Sequence, residues 1–343
     1  MKNKLMLTTA LAGLALGTSA FADTTIKGSM TLTYGAASGA TAAKSNSGYG
    51  RETQIDIRNS GDLNNGMGYQ AGMSLEQDGT QSGFDGGEQV FIKFISGDTK
   101  IGLGQDFMAN LSGTIVPRVG KMLGTATAGI NARPEASSQG TLYVNDPLDG
   151  VYGSFGIGLE QKIGEGTFTF NYVPHLDDSG TTDAGGGDGT AGNAAYEATY
   201  NGTFEGVGIK LGYKKIDKDA NNTAVADKDG KAYQYGLGYS FGPLKVGIQR
   251  NDASPGTATS SDYDTTEVGA AYAINDNLSI SVSHATTDKD GTTADEDINE
   301  VSIGYNLGAV AIVLQYAEIE NIGGSSAANT DGEKVALRLS TAF

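Results

Sequence analysis

The pattern that most constrains this chain is a period of two. Across residues 335–343, Val335, Leu337, Leu339, Thr341 and Phe343 alternate with Ala336, Arg338, Ser340 and Ala342. Successive side chains of a β-strand point to opposite faces, so such a segment is a strand with one apolar face and one polar or small face. The alternation recurs along the chain. Ile26, Met30, Leu32 and Tyr34 stand against Lys27, Ser29, Thr31 and Thr33, and Ile55 and Ile57 against Gln54, Asp56 and Arg58. Val90, Ile92 and Phe94 stand against Gln89 and Lys93, and Ile101 and Leu103 against Lys100 and Gly102. Later, Val207, Ile209, Leu211 and Tyr213 oppose Lys210 and Lys214, and Leu278, Ile280 and Val282 oppose Ser279, Ser281 and Ser283. Beyond the N-terminal leader described below, no stretch offers the roughly 20 consecutive apolar residues that a spanning helix needs.

The connections between these segments alternate in length. Residues 96–99, 242–243, 274–276 and 307–309 are tight turns. Residues 78–88, 175–193, 217–230, 252–264, 287–297 and 320–331 are long, acidic and rich in Gly, Ser, Thr and Asp. Short turns at one end and long loops at the other are the layout of an up-and-down barrel that crosses a membrane. Backbone groups cannot stay unpaired in hydrocarbon, so a spanning sheet must close on itself. The expected fold is all-β, a closed antiparallel transmembrane β-barrel of about 16 strands, with 18 as the alternative count. The ambiguity lies in residues 108–150, read as one long loop that absorbs the tetrapeptide 141–144 or leaves it to an extended sixth strand. Tyr34, Tyr69, Tyr213, Tyr239, Tyr305 and Tyr316 fall on the outward parity near strand ends, where an aromatic girdle meets the interface.

Residues 1–22 read as a secretory leader: Lys2 and Lys4, then an apolar run too short to span, then Ala20-Phe21-Ala22 as a small-residue cleavage site. The barrel domain is therefore expected over residues 23–343. The chain carries 23 Lys and Arg against 40 Asp and Glu, a net charge of −17, so a nucleic-acid partner is not expected. With no Cys there is no disulfide, thiolate or Cys-based zinc chemistry, and the 2 His lack the partners of a catalytic set. No enzyme is expected. The acid surplus lies in the long loops, where solvation alone gives charge a purpose. Asp227-Lys228-Asp229-Gly230 and Asp288-Lys289-Asp290-Gly291 also resemble fragments of a calcium loop, without its remaining ligands or closing Glu. Asp227, Asp229, Asp288 and Asp290 are thus candidate Ca²⁺ ligands, and no other cofactor is expected.

The opening Asp23-Thr24-Thr25-Ile26-Lys27-Gly28, the segment Gly97-Asp98-Thr99-Lys100-Ile101-Gly102-Leu103-Gly104 and the terminal Phe343 together resemble a Gram-negative general porin, most of all the alphaproteobacterial type. The resemblance implies an integral protein of the outer membrane of a Gram-negative bacterium, held in outer-membrane lipid as a homotrimer with one pore per subunit. Phe343 is similar to the C-terminal aromatic signal read by the barrel-assembly machinery. Small hydrophilic solutes and ions would diffuse through a water-filled pore, narrowed by a loop folded inward after the fifth strand, here near residues 108–140. The alternative is a substrate-specific channel for sugars or small anions. In such porins the inserted loop carries acids and the facing wall carries bases. Inward parity puts Lys27, Arg58, Lys93, Lys100 and Arg338 on the wall, and Asp106, Glu135 and Asp146 are the acids of the loop region. The loop departs from the family pattern by also carrying Arg118, Lys121 and Arg133, so a mixed or anion-favouring constriction is expected.

Overall fold

The computed structural model describes residues 23–39, 46–78, 85–105, 111, 113–120, 155–174, 194–217, 229–254, 262–327 and 330–343. The first eight strands are β1 (Asp23–Gly39), β2 (Asn46–Asp62), β3 (Gly68–Asp78), β4 (Asp85–Ser96), β5 (Thr99–Gly104), β6 (Gly156–Ile163), β7 (Gly166–Val173) and β8 (Ala195–Phe204). The second eight are β9 (Val207–Ile216), β10 (Gly230–Phe241), β11 (Leu244–Ser254), β12 (Tyr263–Ala273), β13 (Leu278–Lys289), β14 (Glu296–Asn306), β15 (Val310–Glu320) and β16 (Gly332–Ala342). Each pairs antiparallel with its neighbours in sequence, and β1 pairs with β16, so these 16 strands form a closed barrel without an edge. Among the described residues no helix is long and apolar enough to cross a membrane; strands do the crossing.

Closure runs from Gly39 opposite Gly332 to Ser29 opposite Ala342. One step further, Gly28 and Phe343 exchange backbone hydrogen bonds of 2.7 and 2.8 Å, and the Phe343 ring occupies the space that a Cβ on Gly28 would need.

The alternation of connection lengths holds around the barrel. β2–β3, β4–β5, β6–β7, β8–β9, β10–β11, β12–β13 and β14–β15 are joined by short turns, and every longer connection lies at the opposite end. In the β8–β9 turn Glu205 (φ 48°) and Gly206 (φ 83°) are both left-handed, as in the tight hairpin turns whose twist matches that of the strands. Residues 85–88, 252–254, 287–289 and 296–297, expected in loops, are strand instead. Beyond the bilayer both faces of a strand can be polar, so the hydrophobic alternation stops while backbone pairing continues.

Burial is inverted relative to a water-soluble protein. Leu237, Ile303 and Val282 are exposed at 52 %, 43 % and 50 %, while Lys214, Gln234, Gln249 and Gln315 are almost wholly buried. A continuous apolar exterior of this kind requires a lipid solvent. The inner face is not polar and small throughout, however. Ile298 and Ile319 pack with Ala285, Ala317, Ala336 and Ile322, and Ile216 packs with Leu111, Val173, Ala195, Ala232 and Ala253. These groups sit on inward parity near the long-loop end, where inturned segments give the wall a small apolar core of its own.

Candidate channel constriction

Leu111 and residues 113–120, beyond β5 in the chain, run as a strap along the inner wall. At its start Leu111 N–H donates to the Glu197 carboxylate on β8, and Gln234 Nε2 on β10 donates to Leu111 O at 2.8 Å. Gly113 O accepts from Lys210 Nζ on β9 at 2.8 Å and from Gln249 Nε2 on β11 at 3.2 Å. Ile115 N–H donates to Gln249 Oε1 at 3.0 Å. Thr114 Oγ1 donates to Glu267 Oε2 on β12 at 3.0 Å, and the Arg118 guanidinium pairs with the same carboxylate. Val119 N–H donates to Ser281 Oγ on β13 at 2.8 Å, and Gln315 Nε2 on β15 reaches Val119 O at 3.5 Å. A buried irregular segment must find partners for its peptide groups, and here the wall's long polar side chains supply them from β8 round to β15.

The wall is hollowed beneath the strap by missing side chains. A Cβ on Gly236 would lie 2.6 Å from Ile115 Cγ2, one on Gly269 2.6 Å from Val116 Cγ1, and one on Gly304 2.5 Å from Val119 Cγ1. Glycine weakens a strand interior and is retained where another backbone approaches closely; here these glycines make the strap's seat.

The strap bonds to the wall from β8 to β15. The inward residues of β16 from Gly332 to Arg338 and of β7 from Thr169 to Val173 are buried, and the partly exposed inward charges lie on the other side of the lumen, on β1–β6. There Arg58 Nη2 donates to Gln89 Oε1 at 2.7 Å, Asp56 Oδ1 at 3.1 Å and Ser74 Oγ at 3.3 Å, and its side chain lies across Gly72. The guanidinium carbon of Arg58 stands 5.0 Å from the Phe91 ring centroid and Lys93 Nζ stands 4.6 Å from it, both within cation–π range. Lys100 Nζ pairs with Glu160 Oε1 at 2.5 Å. Lys27, in register with Asp56, is exposed.

Of the residues singled out from sequence, Arg58, Lys93 and Lys100 therefore come together on one wall. Arg338 lies on the inward face of β16 but is 7 % exposed and so does not open onto water. Arg118, expected to present a positive charge from the loop to the channel, is turned to the wall instead. Glu267 answers its charge, and both side chains are under 10 % exposed. Asp106, Lys121, Arg133, Glu135, Asp146 and Asp227 lie outside the described residues, as do the leader and the tetrapeptide 141–144. Asp229 is 3.1 Å from Lys215 Nζ, and Asp288 lies opposite Asp264 in the β12–β13 register. Among the described residues no group of three or more His, Cys, Asp or Glu is placed to hold a metal ion. His284 faces outward, with Nδ1 2.9 Å from Asn299 Oδ1 and Nε2 3.0 Å from Thr286 Oγ1. Sequence reasoning missed the strap's anchors, Glu197, Lys210, Gln234, Gln249, Glu267, Ser281 and Gln315. The recurrence of glycine at inward positions 236, 247, 269 and 304 was the available signal that something lies against that wall.

A family profile described as Gram-negative porin matches residues 7–324. This chain belongs to the Gram-negative porin family. It is therefore a porin of the Gram-negative outer membrane, in keeping with its lipid-facing exterior and inturned strap. Its fold is that of solved porins of low sequence identity. A refined porin structure aligns at a TM-score of 0.62 with 14 % identity, over 94 % of this chain and 100 % of the other. A triple mutant of Rhodopseudomonas blastica porin aligns at 0.61 with 11 % identity and the same coverage. A structure titled for the asymmetric conductivity of engineered proteins aligns at 0.62 with 12 % identity, again over 94 % and 100 %. No curated protein sequence matches the chain.

Proposed function

We propose that this porin passes small hydrophilic solutes and ions by passive diffusion, through the water left between the strap and the wall of β1–β6. The observation that carries this reading is the path of residues 111–120. Their bonds run along one side of the lumen from β8 to β15, and a barrel of about 16 strands is wide enough to hold an aqueous channel around such an insertion. Lys27, Arg58, Lys93 and Lys100, with Asp56 and Glu160 beside them, are the wall charges that a passing solute meets, and no cofactor is needed for diffusion. Family membership favours three copies per assembly, delivered by the barrel-assembly machinery, and favours a diffusion pore over a substrate-specific channel.

Refolded protein added to a planar bilayer is expected to give discrete conductance steps. They should rise in proportion to the bulk conductivity of the salt, and each should close in thirds if three pores insert together. A bilayer that stays silent, or a conductance that saturates at low solute concentration, would overturn the reading.

A further inference from the structure

The lipid-facing belt is uneven. On β11–β14 one row of paired outward residues is short: Val246 stands opposite Ala270, Ala270 opposite Val282, and Val282 opposite Val301. The neighbouring row, nearer the short turns, is long, with Tyr272, Ile280, Ile303 and Leu314 paired in the same order. The step leaves an open trough of about 670 Å³ on the outer wall, which reaches the backbone of Gly247 and Gly269.

The trough slopes. Counted from the short-turn end, Val246 is the third residue of β11, Ala270 the fourth of β12, Val282 the fifth of β13, Val301 the sixth of β14 and Tyr316 the seventh of β15. One end therefore lies within the apolar belt on β11 and β12, and the other at the long-loop interface on β15. The polar side chains are confined to the second end, where His284, Asn299 and Glu318 are successive partners on β13, β14 and β15 beside Tyr316. Tyrosine at that depth marks the boundary between hydrocarbon and headgroups. The trough thus has the polarity of one lipid molecule, with its tail toward β11.

Lipid tails are as apolar as the wall, so burial alone retains no particular lipid. Close packing in a depression and contacts to the headgroup do. The charges around the polar end are mainly acidic. Glu318 faces Glu333 across β15–β16, Asp297 faces Glu320 across β14–β15, and His284 Nε2 stands 3.7 Å from Asp297 Oδ1. Arg250, the cation on the same outward face of β11, is already held by Asp252 and Asp264. An anionic headgroup would meet carboxylates here, whereas an ammonium would meet counter-charges at the edge of a low-dielectric medium. Asn299 Oδ1 lies 2.9 Å from His284 Nδ1, which leaves the amide nitrogen as a donor to a phosphate oxygen.

We propose that the trough on β11–β15 is a binding site for a single phospholipid with an ammonium-bearing headgroup. One acyl chain lies over Ala270 between Val246 and Val301, and the ammonium sits at Glu318.

The test is native mass spectrometry of the refolded barrel in detergent, titrated with equal amounts of phosphatidylethanolamine and phosphatidylglycerol of identical chains. The wild type is expected to retain one phosphatidylethanolamine per barrel, severalfold in excess of phosphatidylglycerol. Ala270→Leu fills the deep end and Val301→Phe the middle, and each is expected to lower that adduct severalfold at unchanged unit conductance, which shows that the barrel is folded. Should one variant fail to fold, the other carries the test. Glu318→Lys is expected to erase the preference between the two lipids. A ladder of adducts with no single dominant one overturns the proposal. So does equal retention of the two lipids by the wild type, or a folded trough-filling variant that holds phosphatidylethanolamine as the wild type does.

Discussion

At the scale of single residues, the decisive interaction in the lumen is the one Glu267 makes. Its carboxylate receives both a hydroxyl and a guanidinium from the strap and is 2 % exposed. Removing one member of a buried ion pair leaves the other charge uncompensated, at a cost of about 3–5 kcal/mol, whereas replacing both with apolar groups is often nearly neutral. Arg118→Ala is therefore expected to destabilise the barrel by about 3 kcal/mol, near the low end because lumen water is close. The double replacement Arg118→Met with Glu267→Leu is expected to restore most of that loss. Urea unfolding midpoints of protein refolded in detergent micelles would check both. Equal losses for the single and double variants would mean that the pair carries no coupling. This contact was not legible in the sequence. Arg118 was visible as a charge in a long loop, but its direction depends on a carboxylate 149 positions away, on a strand whose inward parity says only that Glu267 faces the lumen.

At the scale of elements, what a strand shows depends on which medium each face meets. β10 is the clearest case: Tyr233, Tyr235, Leu237, Tyr239 and Phe241 are all exposed, and Gln234 and Gly236 between them are buried under the strap. Leu237 sits between Ile209 and Ile248 in the middle of the apolar belt. A positive charge there is expected to cost about 2–4 kcal/mol. Leu237→Arg should shift the urea midpoint for folding into vesicles accordingly. Ser240→Glu on the same strand faces the lumen beside Lys245 and should fall within about 0.5 kcal/mol of the wild type. An outward charge that costs nothing would sink the assignment of faces. The strands legible in the sequence were those with aliphatic residues on one parity. β7 alternates as cleanly, Phe168, Phe170 and Tyr172 against Thr167, Thr169 and Asn171, but with aromatics in place of aliphatics, whereas Ala198 and Gly202 dilute the outward face that Tyr196 and Tyr200 give β8. The constriction was half legible. The wall cations followed from parity alone, whereas the strap's course depends on side chains from β8 to β15 that only the closed barrel brings together.

At the scale of the whole molecule, stability and function share one requirement, that the sheet have no edge. β16 joins β15 to β1 through Leu337, Leu339 and their neighbours, and Phe343 adds two more backbone bonds to Gly28. Deleting residues 335–343 would strip partners from both β15 and β1 across most of the bilayer. Each unpaired peptide group there costs several kcal/mol, so the sum exceeds the roughly 5–15 kcal/mol by which folded domains are stable. The truncated chain is expected neither to fold into vesicles, as judged by protease resistance, nor to conduct. Phe343→Ala makes a sharper comparison, because it keeps the backbone bonds to Gly28 and removes only the ring that rests against that glycine. In vitro this variant is expected to fold with the unit conductance of the wild type. In cells its outer-membrane level should fall, if the ring is read by the assembly machinery rather than needed for closure. A Phe343→Ala barrel that fails to close in purified vesicles would instead place the ring in the seam itself, as the packing element that holds β16 to β1 where the last hydrogen bonds meet the interface.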